Sequence, residues 1–190
     1  VRLKNASKSE KDAVARGPAL LIVPASLMAN WRAEAARFAS RLNIRFAHPA
    51  ESTPEELTKL AESSPKKLPD ADLVVTTYSM AARLPWLKNL TWRLIILDEA
   101  QAIKNAGARQ SRAVKELRAR GRIVLTGTPV ENRLSDLWSI FDFLNPGLMG
   151  AAAEFARYVK RLQQSDPTDY GPLRTLVRPY ILRRLKTDKT

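Results

Sequence analysis

The stretch WRLIILDEA, residues 92–100, decides the fold class. Leu94 to Leu97 are four consecutive apolar residues, the pattern of a strand buried on both faces of a parallel sheet. The run ends on two adjacent carboxylates, Asp98 and Glu99. In open α/β sheets the carboxyl ends of the strands form the edge where ligands bind. Neighbouring side chains on a strand point to opposite faces, so the two acids share a site only if the chain bends into the following turn.

Working outward, ALLIV (19–23) is another continuous apolar run and stops at Pro24. NIRFAH (43–48), DLVVTTY (72–78) and RIVLTGT (122–128) complete the set of predicted strands. Helical spacing separates them. From Ser26 the residues Leu27, Trp31, Ala35 and Phe38 recur every three or four positions. TPEELTKLAE (53–62) offers Thr53 as a cap, Pro54 in the first turn and two early glutamates. A short helix is expected over 79–84, and ARQSRAVKELRA (108–119) reads as a basic helix with a solvated outer face. RLSDLWSIFDFLNPG (133–147) aligns Leu134, Leu137, Trp138, Phe141 and Leu144 before a Pro146-Gly147 stop. Residues 1–18 are polar and broken at Gly17-Pro18, and 63–71 reads as a linker loop. The alternation predicts an α/β fold with a parallel sheet and right-handed crossovers over 19–147. We place one domain at 1–150 and a basic helical extension at 151–190, with PYILRR the one strand-like stretch in that extension.

The chain has 190 residues, with 32 Lys+Arg against 19 Asp+Glu and a net charge of +13. Such an excess favours polyanionic partners through counterion release; the plainer reading is a solvated basic surface. Hydrophobic residues make up 45%, which fits a globular chain, and no apolar run approaches the roughly 20 residues that cross a bilayer. Val1 to Arg16 show no signal-peptide pattern. Without cysteine these residues hold no disulfide, thiolate-bound zinc or thiol nucleophile. His48, the sole histidine, has no carboxylate or hydroxyl at a telling spacing and is not expected to be catalytic.

Two chemistries fit Asp98 and Glu99. An aspartate at a strand end can hold Mg²⁺ through water while the next glutamate polarises an attacking water. Equally, acids at the start of a turn from Ala100 are favoured by the helix dipole. VLTGTP (124–129) tilts the balance to the first, because a second strand exits into small and hydroxyl-bearing residues that can bond to the acids or to phosphate.

LDEAQAIKN (97–105), VLTGTPVENRLSDLWSIFDFLNPG (124–147) and LIVPASLMANWRAEAARF (21–38) together resemble the SNF2 (SWI2/SNF2-type) family of superfamily 2 helicase-like ATPases. Their order matches the first RecA-like lobe. VVTTYSM (74–80) resembles the lobe's further DNA-contact motif, and LRTLVRPYILRRLKTDK (173–189) the segment leading out of it. The DEAQ spelling is similar to that of bacterial members. The resemblance implies ATP and Mg²⁺ as cofactors, with Asp98 for the metal, Glu99 for the hydrolytic water, and Gln101 at the nucleotide site where the family usually has His. It implies that Thr126, Gly127 and Thr128 couple that site to DNA and lobe movement. Pro24, Ser26, Asn30 and Trp31 match the first DNA-facing motif, and Thr76, Thr77 and Tyr78 the second. Ser26 and Thr77 are expected to meet phosphates through hydroxyls or nearby amides, and Trp31, on the apolar stripe, to be core. The implied partners are double-stranded DNA, protein–DNA complexes and a second RecA-like lobe, without a membrane, in the cytoplasm at a bacterial nucleoid.

The family holds phosphate with G-x-x-x-x-G-K-[ST], and none of the seven glycines here precedes a lysine. With a Val start, we expect a piece of a longer motor that neither binds ATP tightly nor hydrolyses it alone. We also expect a sheet incomplete in its middle, so that the piece is marginal, rearranged or self-associated. The rival reading is a non-enzymatic DNA-binding or scaffolding domain of motor ancestry.

Overall fold

The computed structural model describes residues 17–62, 71–127, 134–165 and 170–182. Five parallel strands, β1 (Ala19–Val23), β2 (Ile44–Phe46), β3 (Leu73–Thr77), β4 (Thr91–Leu97) and β5 (Arg118–Val124), form one sheet in the order β2-β3-β1-β4-β5. Helices α1 (Met28–Phe38), α2 (Pro54–Glu62), α3 (Tyr78–Ala81), α4 (Arg109–Lys115) and α5 (Leu134–Leu144) alternate with or follow the strands. This is the parallel sheet flanked by helices that the alternation of patterns predicts.

The continuous apolar runs become the centre of the sheet. All five residues of β1 are buried, and β1 pairs with β3 on one side and β4 on the other. Its two faces feed separate cores. Leu20 and Ile22 join Val74, Trp92, Ile95, Leu97, Ile103 and Phe143 in the larger, while Leu21 and Val23 join Met28 and Val75 in the smaller. The helix stripe read over 133–147 buries Leu137 and Phe141, and Ile140 and Phe143 with them. The cap of α2 is reciprocal: Thr53 N–H donates to Glu56 Oε2 at 2.9 Å, and Glu56 N–H to Thr53 Oγ1 at 3.3 Å.

Three expectations are corrected. The sheet is not incomplete in its middle: β1 bonds to both neighbours and the five strands are contiguous, so another strand can join only at an edge. β5 has no partner on its outer side among the described residues, and Ile123 and Leu125 at that edge are 42% and 40% exposed. The basic helix ends at Lys115 instead of running to 119, because Thr91 to Leu97 of β4 recruits Arg118 to Val124 as a ladder. Gly121 opposes Leu94 in that ladder, and a Cβ there would lie 3.2 Å from Leu94 Cδ1, a tight approach that glycine avoids. The last strand starts at Arg118 rather than at 122, while Arg109 and Arg112 are exposed as a solvated outer face requires and Ser111, Ala113 and Val114 are buried.

The chain divides into two compact units, 1–149 and 150–190. The second contains α6 (Ala152–Ser165), α7 (Gly171–Val177) and a 3-10 turn at Arg178–Tyr180, with Phe155, Leu173 and Val177 buried. Ile181 and Leu182 follow without forming a strand. The readings made for 1–16, 63–70 and 183–190 lie outside the described residues, as does Thr128. Among the described residues, no helix is long and apolar enough to cross a membrane.

Candidate functional site

The parallel register brings the informative residues to one edge. Val23 is level with Thr77 across β1 and β3, Ile22 with Leu97 across β1 and β4, and Leu97 with Val124 across β4 and β5. Pro24, Tyr78, Asp98 and Leu125 therefore leave the sheet side by side at its carboxyl edge.

Asp98 stands one residue beyond β4, with its N–H still bonded to Ile22 O at 2.9 Å. The chain then bends sharply. Glu99 has φ 49° and ψ 56°, the one non-glycine left-handed residue among those described, and it opens a 3-10 turn at Ala100–Ile103. A left-handed backbone costs a side-chain-bearing residue on the order of 1–2 kcal/mol. Two bonds hold it: Glu99 N–H donates to Asp98 Oδ1 at 2.9 Å, and Ala100 N–H to Leu125 O at 3.2 Å. This bend is the one that two neighbouring carboxylates require to share a site.

A polar chain continues from there. Gln101 Nε2 donates to Glu99 Oε2 at 2.7 Å, and Thr126 Oγ1 donates to Gln101 Oε1 at 3.1 Å. The amide of Gln101 thus joins the glutamate of one strand exit to the threonine of the next. Gly127 follows, exposed, with open space where a Cβ would lie.

Two contacts to Asp98 were not legible in the sequence. Trp31 Nε1, from α1, donates to Asp98 Oδ2 at 2.7 Å. Tyr78 Oη, from α3, donates to Asp98 O at 2.8 Å. Trp31 packs against the smaller core, as expected of the stripe, and adds this polar bond. Its indole N–H is the available signal, since a tryptophan seeks a partner for it when buried. Burial foremost, then the charges of Asp98 and Glu99, push the Tyr78 phenol well above its ordinary pKa, so it stays a neutral donor.

The remaining sites divide by exposure. Ser26 and Asn30 are exposed and Pro24 partly so, beside a 3-10 turn at Ala25–Leu27. Thr76 and Thr77 are buried, with their hydroxyls engaged inside the fold. Thr76 Oγ1 donates to Ala47 O at 2.8 Å, and Thr77 Oγ1 caps α3 by accepting from Met80 N–H at 3.3 Å. Tyr78 is likewise buried, its hydroxyl occupied by Asp98. His48 Nδ1 accepts from Ala50 N–H at 3.2 Å, a local turn contact.

No cluster of three or more His, Cys, Asp or Glu poised for a metal exists among the described residues. Mg²⁺ is ordinarily held by one or two carboxylates together with substrate phosphates and waters. Asp98, with two of about four lone-pair sites engaged by Trp31 and Glu99, retains acceptor capacity for that mode. The donor set fits Mg²⁺ carried with a nucleotide, not a closed protein metal cage.

Comparison with known proteins identifies the family. A family model described as SNF2-related domain matches residues 2–189. YwqA of Bacillus subtilis, named as an ATP-dependent helicase/translocase, is 41% identical over 176 residues, which is 90% of this chain and 18% of that protein. The TATA-binding protein-associated factor mot1 of Aspergillus fumigatus is 32% identical over 203 residues, covering 99% of this chain and 10% of its own. The Sulfolobus solfataricus SWI2/SNF2 ATPase core in complex with double-stranded DNA superposes with a TM-score of 0.77 at 39% identity, over 95% of this chain and 36% of that one. The chain therefore spans a minor part of the length of these relatives.

Proposed function

Because this chain belongs to the SNF2-related domain family, we propose that it is part of the first RecA-like lobe of an ATPase, stimulated by double-stranded DNA, that translocates on the duplex and remodels protein–DNA complexes. The observation that carries the reading is the hydrogen-bonded chain Asp98–Glu99–Gln101–Thr126 across two strand exits. It supports the reading because Asp98, Glu99 and Gln101 follow β4 and Thr126 follows β5, both at the carboxyl edge of the sheet.

In this reading Asp98 takes Mg²⁺ and Glu99 accepts the proton of the attacking water. Gln101 orients the Glu99 carboxylate and reports its state to Thr126, and Gly127 and Thr128 are assigned the coupling to DNA and lobe movement. Mg²⁺, when bound, supplies charge neutralisation on the phosphates. Pro24, Ser26 and Asn30 are the exposed residues we assign to the DNA backbone, where contacts position the protein without reading sequence. Beside them, Thr76, Thr77 and Tyr78 act through the backbone they hold.

Phosphoryl transfer depends on positioning and charge stabilisation. The 190 residues contain no G-x-x-x-x-G-K-[ST] motif, so we assign the phosphate grip to sequence elsewhere in a longer protein. Residues 1–190 by themselves are expected neither to bind ATP tightly nor to hydrolyse it, and calorimetry giving micromolar ATP affinity for them contradicts this.

The deciding experiment uses the full-length protein. Glu99→Gln should lower DNA-stimulated ATP turnover by about 10²- to 10⁴-fold, the range of a lost general base, with ATP binding retained. Unchanged turnover removes Glu99 from that role. DNA binding with no turnover in the unaltered protein instead supports a scaffold.

A further inference from the structure

We infer that Trp31 is a positioning residue for the metal carboxylate, and that through it the segment 24–31 adjusts the affinity of the site for Mg²⁺-bearing nucleotide. This rests on the assignment of Asp98 to the metal made above. The structural basis is how α1 is held: it buries little of itself. Besides Trp31, its ties are the packing of Met28 and the guanidinium of Arg32, which pairs with Glu51 at 2.7 Å and lies 4.9 Å from the Phe46 ring centroid. Met28 is the one buried residue of that helix, and Ala29, Asn30, Arg32, Ala33, Glu34, Ala36, Arg37 and Phe38 are exposed. Phe38, from the stripe that the sequence assigned to the core, is 69% exposed.

Against so thin a packing surface, the 2.7 Å bond from Trp31 Nε1 to Asp98 Oδ2 is a substantial tie. It is charge-assisted, and such bonds are roughly twice as strong as neutral ones. Among the described residues, the Asp98 carboxylate has one other hydrogen bond, from the N–H of Glu99, which belongs to the strained turn itself. The Asp98 backbone is fixed through Ile22 O and Tyr78 Oη, yet its side-chain torsion depends on a donor carried by α1. Three positions separate Trp31 from Met28 and five separate it from Ser26, so a displacement of the exposed turn at Ala25–Leu27 passes directly into that donor.

The consequence is a defined thermodynamic coupling. Whatever sits on the exposed Ser26–Asn30 surface and shifts α1 alters the carboxylate presented to Mg²⁺, and by linkage Mg²⁺–nucleotide alters affinity at that surface by the same factor.

The test measures equilibrium binding of a fluorescent, non-hydrolysable ATP analogue to the full-length protein across a Mg²⁺ titration, with and without a DNA duplex. Trp31→Phe keeps the ring and removes the N–H. It should raise the Mg²⁺ midpoint about tenfold, the effect of losing a hydrogen bond to a charged group, leave Mg²⁺-free affinity unchanged, and shrink the DNA-induced shift in the midpoint. Met28→Ala, which loosens the packing of α1 but keeps the indole N–H, is the structural control and should raise the midpoint by less than Trp31→Phe. An unaltered midpoint in Trp31→Phe, or an equal shift in Met28→Ala, overturns the inference. Asp98→Asn separates this from the underlying assignment: if it leaves the Mg²⁺ dependence intact, Asp98 is not the metal residue and both readings fall.

Discussion

At the scale of single residues, the site is a set of groups that each do two things. Gln101 illustrates this, because its amide donates to Glu99 and accepts from Thr126 through opposite atoms. An imidazole can also donate at one nitrogen and accept at the other, so glutamine can make the same two-sided connection as a histidine. Gln101→Ala and Thr126→Val are each expected to lower DNA-stimulated turnover of the full-length protein about tenfold. The double variant should be no worse than the single ones, since residues in one hydrogen-bonded chain are coupled. Additive losses in the steady-state assay show instead that the two act separately. Tyr78 gives a pH prediction. Its phenol pKa is raised in the fold, so the folded state keeps its proton where the unfolded chain has lost it. Its contribution is intact below the ordinary tyrosine value of about 10 and is lost as pH rises from there towards the folded value. Chemical denaturation between pH 9 and 11 (about one unit either side of that value) should show stability falling with pH, and Tyr78→Phe should flatten the fall. An identical slope in the variant assigns the alkaline loss to other groups.

At the scale of elements, what could be read depended on whether a residue's neighbours in sequence were its neighbours in space. β1, β3 and β4 were legible because a strand buried on both faces is a continuous apolar run. β5 was not, at its start: Arg118-Ala-Arg-Gly-Arg carries no apolar signal, and only its ladder with β4 makes it a strand. The thin burial of α1 was also hidden, because periodicity shows which face is apolar and not whether anything covers it. Trp31 and Asp98 are 67 residues apart, a separation at which no local pattern predicts a hydrogen bond. The pairing of Glu99 with its turn, by contrast, followed from strand geometry alone. Arg122 shows what compensates for the weak pattern of β5. Its guanidinium donates to Phe143 O at 2.6 Å and Leu117 O at 2.7 Å, and its centre lies 4.9 Å from the Phe143 ring centroid. Burial lowers its pKa, opposed by Asp142, so the charge is held at some desolvation cost between α5 and β5. Arg122→Met should therefore leave two carbonyls without their donor, at about 1–3 kcal/mol. Hydrogen exchange in peptides spanning 118–124 should quicken by roughly 5- to 150-fold, the same energies expressed as rate. Unchanged protection means that the β4 ladder alone holds the strand.

At the scale of the whole molecule, the question is where a net charge of +13 is spent. Two helices carry much of it in different settings. α4 is embedded along one face, and its Lys115 bonds to Asp142 at 2.9 Å and sits 4.8 Å over the Trp138 ring, so part of its charge is internally matched. In the second unit, α6 lines an open groove with Arg157, Lys160, Arg161 and Gln164 beside Glu154. Binding to duplex DNA releases counterions, and log K falls against log salt with a slope of about −0.9 per phosphate neutralised. We therefore expect Arg157→Gln with Lys160→Gln, in the full-length protein, to reduce the magnitude of that slope by about two, uniformly across duplex sequences. The matching change on the exposed side of α4, Arg109→Gln with Arg112→Gln, should leave the slope within error of the unaltered protein. Fluorescence anisotropy over a salt series distinguishes the cases directly. A slope that responds to α4 and not to α6 moves the DNA track to the first unit. A slope that responds to neither makes both helices ordinary solvated surface and leaves the track to the exposed turn around Ser26.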